Sequence, residues 1–230
     1  MSGSLIVNAD DLGASRGVNR GIAECHRDGV VTSASLMVTG AAVAHAVELS
    51  RANPRLAVGL HWDVTGEDER DFDLADEAAV RREFAAQLER FHALMGRAPT
   101  HVDSHRHMHL KPELRALFAA LVAPLGVPLR GDGRVHFIGG FYAQWEWGVT
   151  ELEHVSVAAL QRILGEEVGE GWTEISCHPG YMTPEYRSTY ASEREAEIHT
   201  LTDPRVRATI EQLGLTLESY ASYRQEAGGA

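Results

Sequence analysis

The sequence has few cysteines, no excess of positive charge and no long apolar segment. Cys25 and Cys177 cannot form a disulfide framework, and unpaired thiols suit a reducing compartment. The 21 Lys and Arg residues against 33 Asp and Glu residues give a net charge of −12, which argues against an electrostatic nucleic-acid binder. No apolar run approaches the ~20 residues of a membrane helix, and the first residues lack a signal-peptide pattern. We therefore expect a soluble, cytoplasmic protein that binds neither nucleic acid nor a membrane.

The length of 230 residues and the 44% of hydrophobic residues indicate one globular domain, residues 1–230, with a sizeable core. Short β-branched segments alternate with segments of helical periodicity, which predicts a parallel α/β fold. A closed barrel and an open doubly wound sheet both satisfy this alternation, and either places a site at the carboxyl ends of the strands. The seven predicted strands are residues 5–9, 30–39, 56–64, 101–105, 127–130, 172–177 and 215–217. The predicted helices are residues 15–27, 41–50, 80–95, 113–123, 156–168, 193–201 and 205–213, and residues 131–150 read as a long loop with a short helix.

Polar residues gather at the ends of four of these strands. The four sets are Asn8–Asp11, His61, Asp103–His105 and His178–Gly180. Because the strands are predicted to be parallel, their carboxyl ends meet on one side of the sheet, and the four sets converge there. The sequence therefore predicts one polar site built from distant parts of the chain.

Histidine is abundant, with twelve residues, four of which lie within the segment 101–109. Imidazoles at alternate positions of an extended chain are about 6.6 Å apart, so one ion can be bound by only one or two of them. His105 lies at the strand end, and Asp11 and His61 complete a set of two imidazoles and one carboxylate. Such a set leaves coordination positions open, as a catalytic metal requires. One divalent ion is expected, either Zn²⁺ or Mg²⁺, with the imidazoles favouring a transition metal.

Each of these residues also has an ordinary structural explanation. Asp10 and Asp11 can stabilise the N-terminus of the following helix, and a single histidine more often packs than binds an ion. His178, which opens a rigid His-Pro-Gly turn, is either a loop residue or a proton donor to a leaving group. The convergence of the sets on one side of the sheet favours the functional interpretation.

Five motifs along residues 5–220 resemble those of the YdjC-like carbohydrate deacetylases. They are LIVNADDLG at 5–13, VTSASLM at 31–37, GLH at 59–61, THVDSH at 100–105 and CHPG at 177–180. This resemblance implies a distorted TIM-barrel-like fold and a metal-dependent enzyme that removes the N-acetyl group from aminosugars such as chitooligosaccharides. By motif position, Asp10 resembles the catalytic base, and His178 falls in the late histidine motif, where an acid role fits. The same positions give the metal ligands as Asp11, His61 and His105.

Further residues are candidates for contacts with an N-acetylated sugar. We expect His107 to line the rim of the site and Trp62 to stack on a sugar face, as Trp145 and Trp147 can also do. Arg130 is expected to contact substrate or to orient a carboxylate. The sequence leaves the oligomeric state open, although the aromatic segment 137–147 is a candidate interface for a homodimer.

Two other classes of function remain as alternatives. Amidohydrolases and polymerase-type phosphoesterases tend to open with His-x-His on the first strand. Here that strand ends in Asp10-Asp11, and His105-Arg106-His107 comes only at the fourth strand, an order that argues against both of these enzyme classes. The second alternative is a sugar-binding or metal-binding protein without catalysis, which would be expected to lack a base.

Overall fold

A sheet of parallel strands forms the centre of the protein, with β1 in the middle. The computed structural model describes residues 3–66, 71–184 and 186–227, with side chains up to residue 223. Across the sheet the strands run in the order β4-β3-β2-β1-β6-β5, and β7 pairs with the start of β1. The strands are β1 (Ser4–Leu12), β2 (Ser33–Leu36), β3 (Ala57–Trp62), β4 (Val102–Ser104), β5 (His136–Ile138), β6 (Trp172–Cys177) and β7 (Thr216–Leu217).

The helices follow the strands and cover the sheet. Ser15 caps the first of them by accepting a hydrogen bond from the backbone N–H of Val18 at 3.0 Å. The third ends at Gly96, whose left-handed φ of 67° suits a residue without a Cβ. The helices are α1 (Arg16–Arg27), α2 (Val43–Ala52), α3 (Glu77–Met95), α4 (Pro112–Val122), α5 (Val157–Glu166), α6 (Ser192–Leu201), α7 (Pro204–Gln212) and α8 (Tyr220–Ala227), with 3₁₀ turns at His105–Leu110, Ala123–Leu125 and Leu152–Val155.

The end of β1 departs from regular strand geometry. Its register with β2 shifts between Ala9 and Leu12, and Asp11 has a left-handed φ of 66°. In a regular strand Asp10 and Asp11 would point to opposite faces of the sheet. The irregularity re-aims one of them, so both carboxylates reach the same cavity.

The predicted fold class is confirmed as α/β, with a distorted, barrel-like sheet of parallel strands. Most of the predicted strands and helices occur within a few residues of their expected limits. Helix α8 was not predicted.

The predicted fifth strand, residues 127–130, is wrong. This segment forms only an isolated bridge between Leu129 and Val102, because Asp132 accepts the Leu129 N–H at 2.9 Å and Gly131 turns the chain. The fifth strand is instead His136–Ile138, inside the segment expected to be a loop with a short helix. It pairs with β6, so its conformation depends on a strand distant in sequence. Among the described residues, no helix is both long and apolar enough to cross a membrane.

Gly59 in β3 is required by the packing of His101. A Cβ built on Gly59 would lie only 2.5 Å from the His101 ring, which is itself fully buried and stacks on Tyr220 at 3.9 Å between ring centroids. The imidazole therefore occupies the space that a side chain at position 59 would need.

We expect Gly59→Ala to lower the free energy of unfolding by about 1–3 kcal/mol, because the His101 ring must move. The matched control is Gly165→Ala in α5, where a Cβ meets nothing within 4 Å. This control should raise stability by up to about 1 kcal/mol through helix propensity. Denaturant unfolding of both variants measures the difference, and a Gly59→Ala protein as stable as the wild type would contradict the packing argument.

Candidate functional site

A cavity of about 720 Å³ opens at the carboxyl ends of the central strands. Its wall is completed by the loop after β5 and by residues around the start of α6. Every residue predicted to be catalytic or metal-binding lines this cavity: Asp10, Asp11, His61, His105 and His178. The structure therefore brings together side chains that are up to 168 positions apart in sequence (Asp10 to His178).

Arg130 holds three carboxylates below the cavity floor. Its guanidinium donates two hydrogen bonds of 2.7 Å to Asp10, two of 2.7 and 3.0 Å to Glu174, and lies 2.9 Å from Asp103. Burial alone would raise the pKa of Asp10 and of Asp103, and Arg130 reverses this, so both pKa values are lowered. For Glu174 burial outweighs Arg130 and the pKa is raised. Tyr220 donates to the other oxygen of Glu174 at 2.6 Å.

His61 connects this buried network to the cavity. Its Nδ1 lies 2.7 Å from Oδ1 of Asp103, and its Nε2 lies 3.4 Å from Oδ1 of Asp11. Burial alone would lower the pKa of His61, but the neighbouring Asp103 carboxylate raises it well above its usual value. Within the described part of the chain, Asp11 Oδ1 is buried and has no hydrogen-bond partner. The contact of this oxygen with Nε2 of His61 is thus an ion pair at 3.4 Å and not a hydrogen bond of good geometry.

His105 is held in a similar way by a second carboxylate. Its Nδ1 lies 3.0 Å from Oδ1 of Asp63, which also accepts the backbone N–H of Gly66 at 2.9 Å. Burial would raise the pKa of Asp63, and the hydrogen bond to His105 turns the shift downward. The His61 and His105 ring centroids are 5.9 Å apart. Two imidazoles with carboxylate-bound Nδ1 atoms are the arrangement that orients Nε2 toward a metal in many sites.

Three non-glycine residues with positive φ lie beside the cavity. They are Asp11, Arg106 and His107, with φ values of 66°, 53° and 50°. All three line the cavity wall. A left-handed backbone conformation is uncommon in residues other than glycine. It is found more often at functional sites, where the surrounding structure stabilises it.

His178 lies beside a stacked pair of tyrosines and near Asp10. Its Nε2 is 3.8 Å from Oδ2 of Asp10, and the rings of Tyr142 and Tyr190 contact it edge-on at 5.6 Å. Burial lowers the pKa of His178 despite the nearby Asp10 carboxylate. Glu197 accepts the backbone N–H of His178. The ring contacts of the two tyrosines and the backbone hydrogen bond thus keep the imidazole near Oδ2 of Asp10.

Arg194 from α6 completes the surroundings of Asp11. Its Nη2 donates to Oδ2 of Asp11 at 2.7 Å, and the guanidinium lies over the ring of Tyr190. Burial would raise the pKa of Asp11, and Arg194 together with neighbouring histidines holds it well below the usual range. With Oδ2 committed to Arg194, Oδ1 is the oxygen available to a ligand.

Two groups of three residues in the described part of the chain could hold a metal ion. One is the buried cluster Asp10, His61 and Asp103, and the other is the more exposed cluster Glu151, Glu153 and His154. Around the buried cluster, the charges favour a cation, because carboxylates outnumber arginines. The buried carboxylates there are Asp10, Asp11, Asp63, Asp103 and Glu174, against Arg130 and Arg194.

The three predicted substrate contacts, His107, Arg130 and Trp62, occupy different positions in the structure. His107 lines the cavity, as expected. The expectation that Arg130 contacts substrate is contradicted, because its side chain is 1% exposed and does not line the cavity; it orients carboxylates, the other role expected for it. The expectation that Trp62 stacks on a sugar is contradicted, because its side chain is fully buried against Phe72 and Phe118. His61 and Trp62 are consecutive in β3, so they point to opposite faces, and only one of them can face the cavity.

A comparison with known families agrees with this architecture. The profile of the YdjC-like protein family matches residues 4–212. The chain belongs to the YdjC-like family. A curated relative from Escherichia fergusonii, named chitooligosaccharide deacetylase, is 35% identical to this YdjC-like protein over 250 aligned positions, covering 94% of this chain and 97% of the relative.

Solved structures with the same fold include one protein from Enterococcus faecalis and one from Streptomyces lividans. A candidate cellobiose-phosphate cleavage protein from Enterococcus faecalis superimposes with a TM-score of 0.85 and 27% identity, covering 97% of this chain and 99% of that one. A family 4 carbohydrate esterase from Streptomyces lividans, in complex with acetate, gives a TM-score of 0.58 at 16% identity, covering 94% and 91%. The second similarity concerns the fold alone.

Several residues of the site were assigned no role from the sequence. Asp63 follows His61 by two positions and so shares its face of the chain, which is a signal that could have revealed it. Asp103 was noted at a strand end without a role. Glu174 and Arg194 carried no local signal, because each matters only through a partner far away in sequence.

We expect Arg130→Met to lower the free energy of unfolding of this YdjC-like protein by about 3–5 kcal/mol, because three buried carboxylates lose their cation. Without Arg130, burial raises the pKa of Asp10 and Asp103, so the loss should shrink as pH falls from neutral toward their unfolded-state value of 3.8. Denaturant unfolding at several pH values measures both effects.

The matched control is Arg162→Ala, which removes an exposed arginine paired with Glu166 at 3.4 Å. An exposed pair of this kind contributes about 0.5 kcal/mol or less. Equal destabilisation by the two substitutions, or a loss at Arg130 that does not depend on pH, would show that the carboxylates do not depend on this guanidinium.

Proposed function

We propose that this protein hydrolyses the acetamide group of an N-acetylated aminosugar, releasing acetate and the free amine. The observation that carries the proposal is the cavity floor, where Oδ1 of Asp11 lies 3.4 Å from Nε2 of His61 and Asp10 lies alongside. The printed name of the 35% identical relative, chitooligosaccharide deacetylase, supports the same substrate class.

We propose that Asp11, His61 and His105 hold the divalent ion, although in the described part of the chain they are not one of the groups whose ligand atoms already lie within 4.8 Å of one another, so binding must draw them together. Asp103 and Asp63 engage the Nδ1 atoms of the two histidines, which makes Nε2 the metal-binding nitrogen of each ring. The buried Oδ1 of Asp11 makes no hydrogen bond of good geometry and lies 3.4 Å from Nε2 of His61, so a cation bound by both atoms would satisfy them.

The alternative ion position at Asp10, His61 and Asp103 is less suitable. The oxygens of both aspartates already accept hydrogen bonds or ion pairs from Arg130. A cation in that position would lie beside a guanidinium that already compensates those charges. We therefore propose that Asp10 and Asp103 support the ion from outside its ligand set.

Asp10 is proposed as the base. A bound divalent ion supplies Lewis acidity, lowering the pKa of a bound water and polarising the amide carbonyl. The carboxylate of Asp10 accepts the proton that the attacking water loses, and its lowered pKa keeps it ionised and ready to accept that proton. Its two hydrogen bonds to Arg130 fix the orientation of the carboxylate.

His178 is proposed to deliver a proton to the leaving nitrogen. Oδ2 of Asp10 lies 3.8 Å from Nε2 of His178, which lines the cavity. The proton that Asp10 gains is transferred to this nitrogen. As the carbon–nitrogen bond breaks, that proton converts the departing nitrogen into a neutral amine, and the water oxygen remains on the acetate. Tyr142 and Tyr190 hold the ring in the orientation that this transfer needs.

A cytoplasmic location is part of the same proposal. It is supported by the two cysteines, which are both buried and free.

Acetate release from N-acetylglucosamine and its β-1,4-linked oligomers tests the activity. We expect release with metal-loaded protein, loss after treatment with EDTA, and recovery when Zn²⁺ or Mg²⁺ is added, with Zn²⁺ favoured by the imidazole ligands. Elemental analysis confirms that the ion is bound. Protein that contains the ion and releases no acetate from any of these sugars would exclude the proposed activity and favour a binding protein without catalysis.

Asp10→Asn and His105→Ala should separate the base from the ligands. We expect Asp10→Asn to retain the ion and lose about 10²- to 10⁴-fold in kcat, as the removal of a general base does. His105→Ala should lose both the ion and the activity. The control is His92→Ala, which alters an exposed histidine of α3 and should change neither property.

Metal content, thermal stability and kcat of each variant give the result. If Asp10→Asn lost the ion while remaining folded, the ion would bind at the Asp10–His61–Asp103 cluster. If Asp10→Asn kept full activity, the assignment of the base would be wrong.

A further inference from the structure

Helix α8 places one aromatic side chain inside the sheet. Tyr220, its first residue, is fully buried, and its backbone N–H donates to Oγ of Ser33 at 3.1 Å. Ser33 begins β2, and β7, directly before α8, pairs with the start of β1. Tyr220 therefore enters the fold from the amino ends of the strands, opposite to the cavity. The family profile ends at residue 212, so α8 lies outside the part of the chain that it matches.

The hydroxyl of Tyr220 is bonded to one carboxylate of the buried network. It donates to Oε2 of Glu174 at 2.6 Å, while Arg130 donates to Oε1 of the same group at 2.7 and 3.0 Å. Burial raises the pKa of Tyr220 well above its usual value, so the phenol keeps its proton and remains a donor. Glu174 thus has one oxygen held by the phenol and the other by the guanidinium, which fixes the plane of its carboxylate.

Arg130 connects this carboxylate to the cavity floor. Its Nη1 and Nη2 each donate to an oxygen of Asp10 at 2.7 Å, and its Nη2 also lies 2.9 Å from Asp103. Because the guanidinium is planar and rigid, the position of Glu174 influences where these nitrogens point. Asp103 in turn holds Nδ1 of His61 at 2.7 Å. The buried phenol is thus joined to the proposed base, and to a proposed metal ligand, through one rigid cation.

The ring of Tyr220 is held in place by His101. The two rings stack at 3.9 Å between centroids with 17° between their planes, and Nε2 of His101 lies 3.0 Å from Oγ of Ser35. Ser35 donates its single hydroxyl proton to Asp103 at 2.6 Å, so Nε2 of His101 carries the proton of the bond to Ser35. Nδ1 then accepts from Thr100, and burial lowers the pKa of His101 to about 4, which keeps the ring neutral. The phenol therefore stacks on an imidazole of fixed orientation, and this sets the direction of its hydroxyl.

We propose that Tyr220 is a positioning residue for the cavity floor, acting through Glu174 and Arg130 on the proposed base, Asp10. This inference rests on the proposed function and adds to it a residue from the opposite end of the sheet. Its hydroxyl would keep the guanidinium in the place where both oxygens of Asp10 are hydrogen-bonded at once.

A purely structural role for Tyr220 is the competing explanation. Its ring packs in a small apolar cluster with Ile6, Ala57 and Val135. A phenylalanine would fill that space equally well, and burying a hydroxyl is costly unless the hydroxyl is hydrogen-bonded. The bond to Glu174 is the one contact that a phenylalanine could not supply, so the hydroxyl is the group to test.

Tyr220→Phe keeps the ring and its stack on His101 and removes only the hydroxyl. For the metal-loaded full chain acting on the β-1,4-linked disaccharide of N-acetylglucosamine, we expect kcat to fall about fivefold, because a less rigidly held base reaches the productive geometry less often. KM should stay within about twofold, since Tyr220 does not line the cavity. The matched control is Tyr223→Phe in the same helix, whose ring packs edge-on against Trp172 and which should keep the wild-type kcat.

A double-mutant cycle with Glu174→Gln tests the route of this effect. We expect the double variant to lose less than about twofold in kcat beyond Glu174→Gln alone, because the hydroxyl acts through that carboxylate. A Tyr220→Phe protein with kcat within twofold of the wild type would overturn the proposal. So would losses that multiply in the double variant, because the hydroxyl would then act independently of Glu174.

Zn²⁺ affinity, measured by competition with a chelator, separates this inference from the proposed activity. Because Arg130 also contacts the Asp103 carboxylate that orients His61, we expect Tyr220→Phe to weaken Zn²⁺ binding about threefold and Tyr223→Phe to leave it unchanged. If the wild type binds Zn²⁺ but deacetylates no sugar, the proposed function fails, and weaker binding in Tyr220→Phe still supports the positioning role. In that case, Zn²⁺ affinity equal to that of the wild type would overturn it.

Discussion

The ion pairs of Arg130 with three buried carboxylates are the interaction on which the rest of the site depends. Asp10, Asp103 and Glu174 come from three different strands, and one guanidinium contacts all of them. Removing so many charges from water is costly unless they are paired and hydrogen-bonded. The same pairing that makes this burial tolerable also fixes where Asp10 and Asp103 point. Stability and the orientation of the proposed base therefore have a common physical origin.

The orientation of His61 follows from this network, and His105 and Asp11 are positioned by contacts of their own. Asp103 fixes the ring of His61, and Asp63 fixes the ring of His105, so each histidine is oriented through a carboxylate of its own. The irregular end of β1 then brings Asp11 to the same side as Asp10. A site of this kind needs several side chains held at once, because one loosely oriented ligand weakens both ion binding and chemistry.

The membership of the YdjC-like family and the geometry of the cavity meet at the same residues. The family profile covers residues 4–212, which include every residue of the polar cavity floor. The mouth of the cavity has a different character, because its loop presents Trp145 and Trp147 to solvent. The polar floor at the strand ends and the aromatic mouth in the loop thus come from separate elements, as is common where a rigid sheet supports variable loops.

The sequence by itself determined the features that depend on local pattern. The alternation of strands and helices, the end of α3 at Gly96 and the gathering of Asp10, His61, His105 and His178 at strand ends all follow from periodicity and turn chemistry. These features need only residues close together in the chain. Once a parallel sheet was expected, the four polar sets could be predicted to share one cavity, because the carboxyl ends of parallel strands lie on one side of the sheet.

Only the tertiary structure decided which of those side chains face one another. Arg130 and Asp10 are 120 positions apart, and Arg194 and Asp11 are 183 positions apart, so neither pair leaves a trace in local pattern. Strand β5 likewise depends on its pairing with β6. Trp62 was misplaced because a parallel strand is covered on both faces, and an apolar run does not show which face meets the cavity. Burial and long-range pairing settle such questions, since both arise only when distant segments pack together.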